Sequence, residues 1–201
     1  FSLIRRIPEC QEHVKSGAWA KGLFPLTTTL AGKKVGIVGM GRIGQDLAKR
    51  LEPFKVEIAY SGPNSKPLPY SYYSNIKDLA SACDIVFLAC PATPDTDNLV
   101  NAAVLEALGP SSYLINIARG SVVNETDLLY ALQHNKIAGA ALDVFNNEPN
   151  LNPEFLRLDN VLLTPHIGSA TTETRVAMTK LAVDNLEAFF TQQPLLSEVH
   201  Y

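Results

Sequence analysis

Residues 33–44 read KKVGIVGMGRIG, and QDLAKRL follows at 45–51. The opening KKVGIV has the composition of a short buried strand, and QDLAKRL has the apolar spacing of a helix. Between them Gly39, Gly41 and Gly44 form G-x-G-x-x-G. In a strand–turn–helix unit each glycine has its own task. The first permits the tight turn, the second lets a bound group approach the backbone, and the third lets helix pack on strand. Unpaired N–H groups and the dipole at the helix start favour a phosphate. The stretch therefore predicts a phosphate cradle, with a dinucleotide as its ligand.

Working outward, the same unit repeats. Strand candidates are KKVGIVG (33–39), KVEIAY (55–60), DIVFLAC (84–90), SSYLINIA (111–118), IAGAALDVF (137–145) and NVLLTP (160–165). Helix candidates between them run over 43–51, 75–81, 101–108 and 124–134, the last with Asn124 and Asp127 spaced as an N-cap and its reciprocal partner. Strands apolar nearly throughout and separated by helices imply a parallel sheet covered on both faces. The expected fold is α/β, a Rossmann-type doubly wound sheet over 31–170. Before it, 1–30 reads as a helix (3–14) and a Gly- and Pro-punctuated connector; after it, 171–201 reads as a long helix and a patternless tail.

Composition narrows the class. With 46% hydrophobic and 18% charged residues among 201, the chain reads as a globular protein rather than a disordered one. No run approaches the length of a membrane span, and the start lacks a signal-peptide pattern, so the cytoplasm is the expected setting. A net charge of −3 without a basic run argues against a nucleic-acid surface. Cys10, Cys83 and Cys90 are an odd set without C-x-x-C spacing, so neither a disulfide framework nor a metal site is expected. The chain begins at Phe1 inside a helix-like segment, which suggests an upstream portion.

An acidic residue usually stands about 20 residues past the glycines, where it accepts hydrogen bonds from the adenosine ribose. Here strand two ends at Tyr60 and the position holds Ser61. A carboxylate would repel a 2′-phosphate, whereas Ser61, Asn64, Ser65 and Lys66 can donate to one. The site leans towards NADP(H), with NAD(H) possible.

Three further stretches fall at the C-terminal ends of late strands, the edge where open α/β sheets bind ligands. They are INIARGSVVN with Arg119, ALDVFNNEP with Asp143 and Glu148, and TPHIGSAT with His166. Reduction of a 2-oxo acid needs a cation for the carboxylate, a proton donor for the carbonyl oxygen, and a hydride. Arg119 offers a planar fork of donors to a carboxylate. His166 has the side chain suited to proton transfer near neutrality, and Glu148 beside it would favour the charged imidazole.

Together GIVGMGRIG, INIARGSVVNETDLLYAL, AALDVFNNEP and LTPHIGSATTETR resemble the cofactor domain of the D-isomer-specific 2-hydroxyacid dehydrogenases, in the same order from about Leu3 to the last helix. AYSG after strand two and PLLSEV near the end are most similar to the glyoxylate/hydroxypyruvate reductase branch. The resemblance implies that Arg119 binds the substrate, that Glu148 partners the acid/base His166, and that Asp143 lies near the nicotinamide amide. It implies Arg42 and Ile43 at the pyrophosphate, with Cys90, Pro91 and Thr96 lining the nicotinamide half and Ala118, Gly168 and Ser169 close to it. It also implies a second, substrate-binding domain largely outside these 201 residues, so that the chain alone would bind a dinucleotide with little turnover. A homodimer through the cofactor domain is implied too, with Trp19 in the interface or reaching the partner's pocket. A different reading, a dinucleotide-sensing corepressor-like module with the same triad, predicts binding without turnover.

Overall fold

The computed structural model describes residues 1–198. Among them the strands are β1 (Lys34–Val38), β2 (Glu57–Ser61), β3 (Ser71–Tyr73), β4 (Ile85–Leu88), β5 (Tyr113–Asn116), β6 (Gly139–Leu142) and β7 (Val161–Leu163). The α-helices are α1 (Ile7–Lys15), α2 (Arg42–Leu51), α3 (Ile76–Ala82), α4 (Ala102–Leu108), α5 (Glu125–Gln133) and α6 (Thr172–Phe190). The chain divides into two units, 1–165 and 166–201.

In the first unit all strands form one parallel sheet ordered β3-β2-β1-β4-β5-β6-β7. Successive side chains leave a strand on opposite faces, and the core divides accordingly. Val86, Leu88, Leu114, Ala140 and Leu142 meet Leu79 of α3, Leu105 of α4 and Leu128 of α5 on one face. Val35, Ile37, Ile58, Tyr60 and Ile85 meet Ala48 and Leu51 of α2, with Ile4 and Leu30, on the other. Both faces are buried, which is why these strands read as unbroken apolar runs. Each fully buried Val, Leu or Ile contributes roughly 1.5–3 kcal/mol, so this two-sided core is the source of the scaffold's rigidity.

Asn side chains begin three helices, with Asn75, Asn101 and Asn124 accepting N–H bonds of the first turns of α3, α4 and α5. The expected reciprocal partnership at Asn124 is not formed. Asp127 instead accepts from Ala102 N–H at 2.8 Å, at the start of α4. The reason is local: the Asn124 N–H is committed to the Val100 carbonyl at 2.9 Å, leaving the carboxylate to tie the two helices together.

The first helix starts later than its periodicity suggests, because Arg6 at φ +51° breaks it. β2 reaches Ser61, one residue beyond its predicted end. β3 escaped the sequence reading, being three residues long and preceded by Pro67 and Pro69. The second unit contains α6, capped by Thr171 through Thr174 N–H at 3.2 Å. Apart from the buried Ala188 its large apolar side chains are exposed, Val176, Leu186, Phe189 and Phe190 among them. The tail's last residues, 199–201, lie outside the described part.

Candidate active site

The chain runs from β1 outward to β3, then crosses back to β4 and proceeds the other way. The reversal leaves a crevice beyond the C-terminal ends of β1 and β4, the place where such sheets bind ligands. A cleft of about 500 Å³ lies there. Its walls are Gly41, Arg42 and Ile43 after β1, Ala89 to Ala92 after β4, and Ile117 to Arg119 after β5. Of the residues picked from the sequence, the structure thus brings Gly41, Arg42, Ile43, Cys90, Pro91, Ala118 and Arg119 to one cleft.

The glycines differ in what they permit. Gly39 sits at φ +95°, and a Cβ on it would stand 2.6 Å from the backbone N and Cα of Cys90. It is glycine because the turns after β1 and β4 touch. A Cβ on Gly44 would fall on the Gly39 carbonyl oxygen, so helix and turn close up there. Around a Cβ on Gly41, by contrast, no atom lies within 4 Å. Gly41 is also the N-cap of α2 without a side-chain cap, so the first-turn N–H groups are open towards the cleft. A turn packed from behind and open in front fits a pyrophosphate.

The walls are braced from within. Thr96 donates to the Pro91 carbonyl at 2.8 Å and accepts from Thr93 N–H at 2.8 Å, fixing the loop after β4. The Cys90 thiol is buried, and burial pushes its pKa up, so at neutral pH it is a packing group rather than a thiolate.

Arg119 is exposed at the cleft's edge, with Nη1 donating to the Ala118 carbonyl at 2.6 Å. Its loop is held by a residue the sequence reading passed over. Asn116 ends β5 with its side chain 1% exposed. Its amide oxygen accepts from Ala118 N–H at 3.0 Å and its amide nitrogen donates to the Arg119 carbonyl at 3.0 Å. A lone Asn closing an apolar strand, just before ARG, was the available signal. Asn116→Leu keeps the branched shape, with somewhat greater bulk, but leaves the buried Ala118 N–H without its acceptor. We expect a loss of about 2 kcal/mol, read as a lower urea midpoint; an unchanged midpoint would mean that the two bonds do not hold the loop.

The loop after β6 carries Asp143 and Glu148. Asp143 N–H donates to the Asn116 carbonyl at 3.1 Å, and its carboxylate accepts from the Thr164 hydroxyl. Glu148 accepts from Phe145 N–H at 2.9 Å, and Asn146 N–H donates to Glu125 at 2.8 Å. Gly120 lies where any Cβ would strike the backbone of Phe145 and Asn146, so the Arg119 loop and the Glu148 loop touch backbone to backbone. Neither Gly120 nor Glu125 had a sequence signal of its own.

Ser61 ends β2 with 5% exposure, and its carbonyl accepts from Gly39 N–H at 2.9 Å. Asn64 and Lys66 are exposed on the following loop. His166, Gly168 and Ser169 open the second unit. His166 is exposed at φ +51°, a left-handed conformation that costs a non-glycine residue roughly 1 kcal/mol or more and tends to occur at functional positions.

Known proteins resemble the chain closely. A family model described as "D-isomer specific 2-hydroxyacid dehydrogenase, NAD binding domain" matches residues 1–168. Hydroxyphenylpyruvate reductase of Plectranthus scutellarioides is 48% identical over 200 residues, covering 99% of this chain and 64% of that protein. Glyoxylate/hydroxypyruvate reductase A of Arabidopsis thaliana gives the same 48%, 99% and 64%. The crystal structure of an NADPH-dependent glyoxylate/hydroxypyruvate reductase from Sinorhizobium meliloti, in complex with NADP and malonate, superposes with a TM-score of 0.94 at 44% identity, over 98% of this chain and 63% of that one. The chain therefore spans somewhat under two thirds of these relatives. By the family match and by the open glycine turn at the sheet's reversal, the chain belongs to the D-isomer specific 2-hydroxyacid dehydrogenases, as their NAD(P)-binding domain.

Proposed function

We propose that this chain is the cofactor-binding part of a two-domain reductase that converts a small 2-oxo acid, of the glyoxylate or hydroxypyruvate type, to its D-2-hydroxy acid. The observation that carries this reading is the meeting of the open phosphate turn and Arg119 in one cleft. A bound nicotinamide dinucleotide supplies the hydride. The N–H groups at the start of α2, with Arg42 and Ile43, receive its pyrophosphate, and Cys90, Pro91, Thr96 and Ala118 shape the wall for its nicotinamide half. Asp143 accepts from the nicotinamide amide, and Gly168 and Ser169 close that end. Arg119 binds the substrate carboxylate. His166 protonates the carbonyl oxygen, and Glu148 orients the imidazole and favours its charged form.

For the cofactor we propose NADP(H) over NAD(H). Residues 61–66, SGPNSK, hold no carboxylate and several donors, and the Sinorhizobium relative, named as NADPH-dependent, was crystallised with NADP. Ser61→Asp should reverse the preference, weakening NADPH by about tenfold or more through like-charge repulsion with little effect on NADH. Calorimetric titration with both dinucleotides checks this; unchanged discrimination would sink the assignment.

We further propose a homodimer formed through the connector. Trp19, Leu23 and Leu26 are 64%, 90% and 101% exposed there, an apolar display uncommon on a monomer's surface. The exposed apolar side chains of α6 offer a comparable surface to the substrate domain. A cytoplasmic setting fits three free cysteines; among the described residues no helix is long and apolar enough to cross a membrane. The whole reading is tested by steady-state assays of the two-domain protein with glyoxylate or hydroxypyruvate and NADPH, and absence of turnover would refute it.

A further inference from the structure

Residues 62–66, Gly-Pro-Asn-Ser-Lys, leave β2 at the dinucleotide end of the sheet, and all but Gly62 are exposed. An exposed polar loop is ordinarily among the more mobile parts of a fold. This one is fastened at both ends. Tyr60 has no exposed surface and its ring is part of the core under α2. Its hydroxyl accepts from Lys66 N–H at 2.7 Å and donates to the Lys66 carbonyl at 3.2 Å. Tyr72 is its direct register partner across β2 and β3, with ring centroids 5.3 Å apart, and donates to the Gly62 carbonyl at 3.0 Å. Pro63 and Pro67 restrict the backbone further.

A phenylalanine at either position would fill the core as well. The two hydroxyls serve the loop, and they fix the main chain from which Asn64, Ser65 and Lys66 project. The loop is also tied to the phosphate turn, because Gly39 N–H donates to the Ser61 carbonyl at 2.9 Å. Donors held in place before a ligand arrives bind it with less loss of entropy than donors on a free loop.

We propose that Tyr60, together with Tyr72, is a positioning residue that presets the 62–66 loop to read the 2′ position of the adenosine ribose and so sets the choice between a 2′-phosphate and a 2′-hydroxyl. The inference rests on the dinucleotide reading above, and it reaches beyond it by placing part of the specificity in two side chains that touch no ligand. Loss of one buried tyrosine hydroxyl frees both Lys66 main-chain groups to water, so the fold persists while the loop loosens.

The test is calorimetric titration of the protein and of Tyr60→Phe, Tyr72→Phe and the double variant with NADPH and with NADH. In Tyr60→Phe the NADPH Kd should rise about fivefold while the NADH Kd stays within about twofold, as expected for one lost hydrogen-bonded anchor. Amide exchange at Lys66 should quicken in the same variant. Equal weakening of both dinucleotides marks the hydroxyl as merely structural and overturns the proposal, as does an unchanged NADPH-to-NADH ratio. If the unmodified protein prefers NADH, the cofactor assignment fails, yet Tyr60→Phe must still change the ratio. If it binds neither dinucleotide, both fall.

Discussion

Gly39→Ala is expected to abolish dinucleotide binding and to lower the melting temperature by about 10 °C. Two costs add. An alanine at φ +95° is strained whatever the space, and such backbone strain costs roughly 1–3 kcal/mol. The methyl would also stand 2.6 Å from Cys90 N and Cα, where the obstacle is backbone that cannot rotate away; forced overpacking costs about another 1–3 kcal/mol. A total of about 2–6 kcal/mol, with its middle near 4, corresponds to about 10 °C for a protein of this size. To relieve the clash the turns after β1 and β4 must part, and those turns are two walls of the cleft. Gly41→Ala is the informative contrast. With φ −78° and no neighbour within 4 Å of its Cβ, it should melt like the unmodified protein while its methyl occupies the open space over the turn and blocks the pyrophosphate. Thermal melts and NADPH titrations of both variants decide the matter. Equal melting losses, or intact binding in Gly41→Ala, would overturn the division of tasks between the glycines.

That contrast also indicates which features a sequence can disclose. Strands such as DIVFLAC, buried on both faces, appear as apolar runs because a parallel sheet forces that composition, and the observed β4 lies within it. The glycine spacing disclosed the turn, since no other residue type satisfies the clash at Gly39 and the packing at Gly44 together. β3 stayed hidden because three residues cannot establish a period, and its existence depends on pairing with β2. The anchors of the site were hidden for a related reason. Asn116, Tyr60, Gly120 and Glu125 act through hydrogen bonds or backbone contacts to residues from 2 to 26 positions away, and no hydrophobic period records such a partner. The side chains proposed for the chemistry, Arg119, Glu148 and His166, could be picked by type from the sequence. What holds them was not.

His166→Ala, in the two-domain protein, is expected to lower kcat/KM for glyoxylate by about a thousandfold, within the 10²–10⁴ range of a lost general acid. Under the proposed reaction a hydride reaches the carbonyl carbon and leaves negative charge on oxygen; without a proton donor that charge must be met by water. Binding of NADPH should be nearly unaffected, because the phosphate turn, the Cys90 wall and the 62–66 loop all belong to the first unit. The left-handed φ of +51° at this histidine gives the variant a second use. Alanine tolerates that conformation no better than histidine does, so the variant's melting temperature is read beside its rate, and a fall in rate at an unchanged melting temperature cannot be assigned to unfolding. Adding imidazole to the assay should restore part of the lost activity, since a small acid in solution can substitute for a missing proton donor but not for a missing structural contact. A full-rate variant would remove His166 from the reaction, and an inactive variant indifferent to imidazole, with weakened NADPH binding, would make its role one of architecture. Glu148→Gln completes the set: a partner that orients and charges the imidazole should, when neutralised, cost about tenfold to a hundredfold in kcat and leave KM for the dinucleotide unchanged.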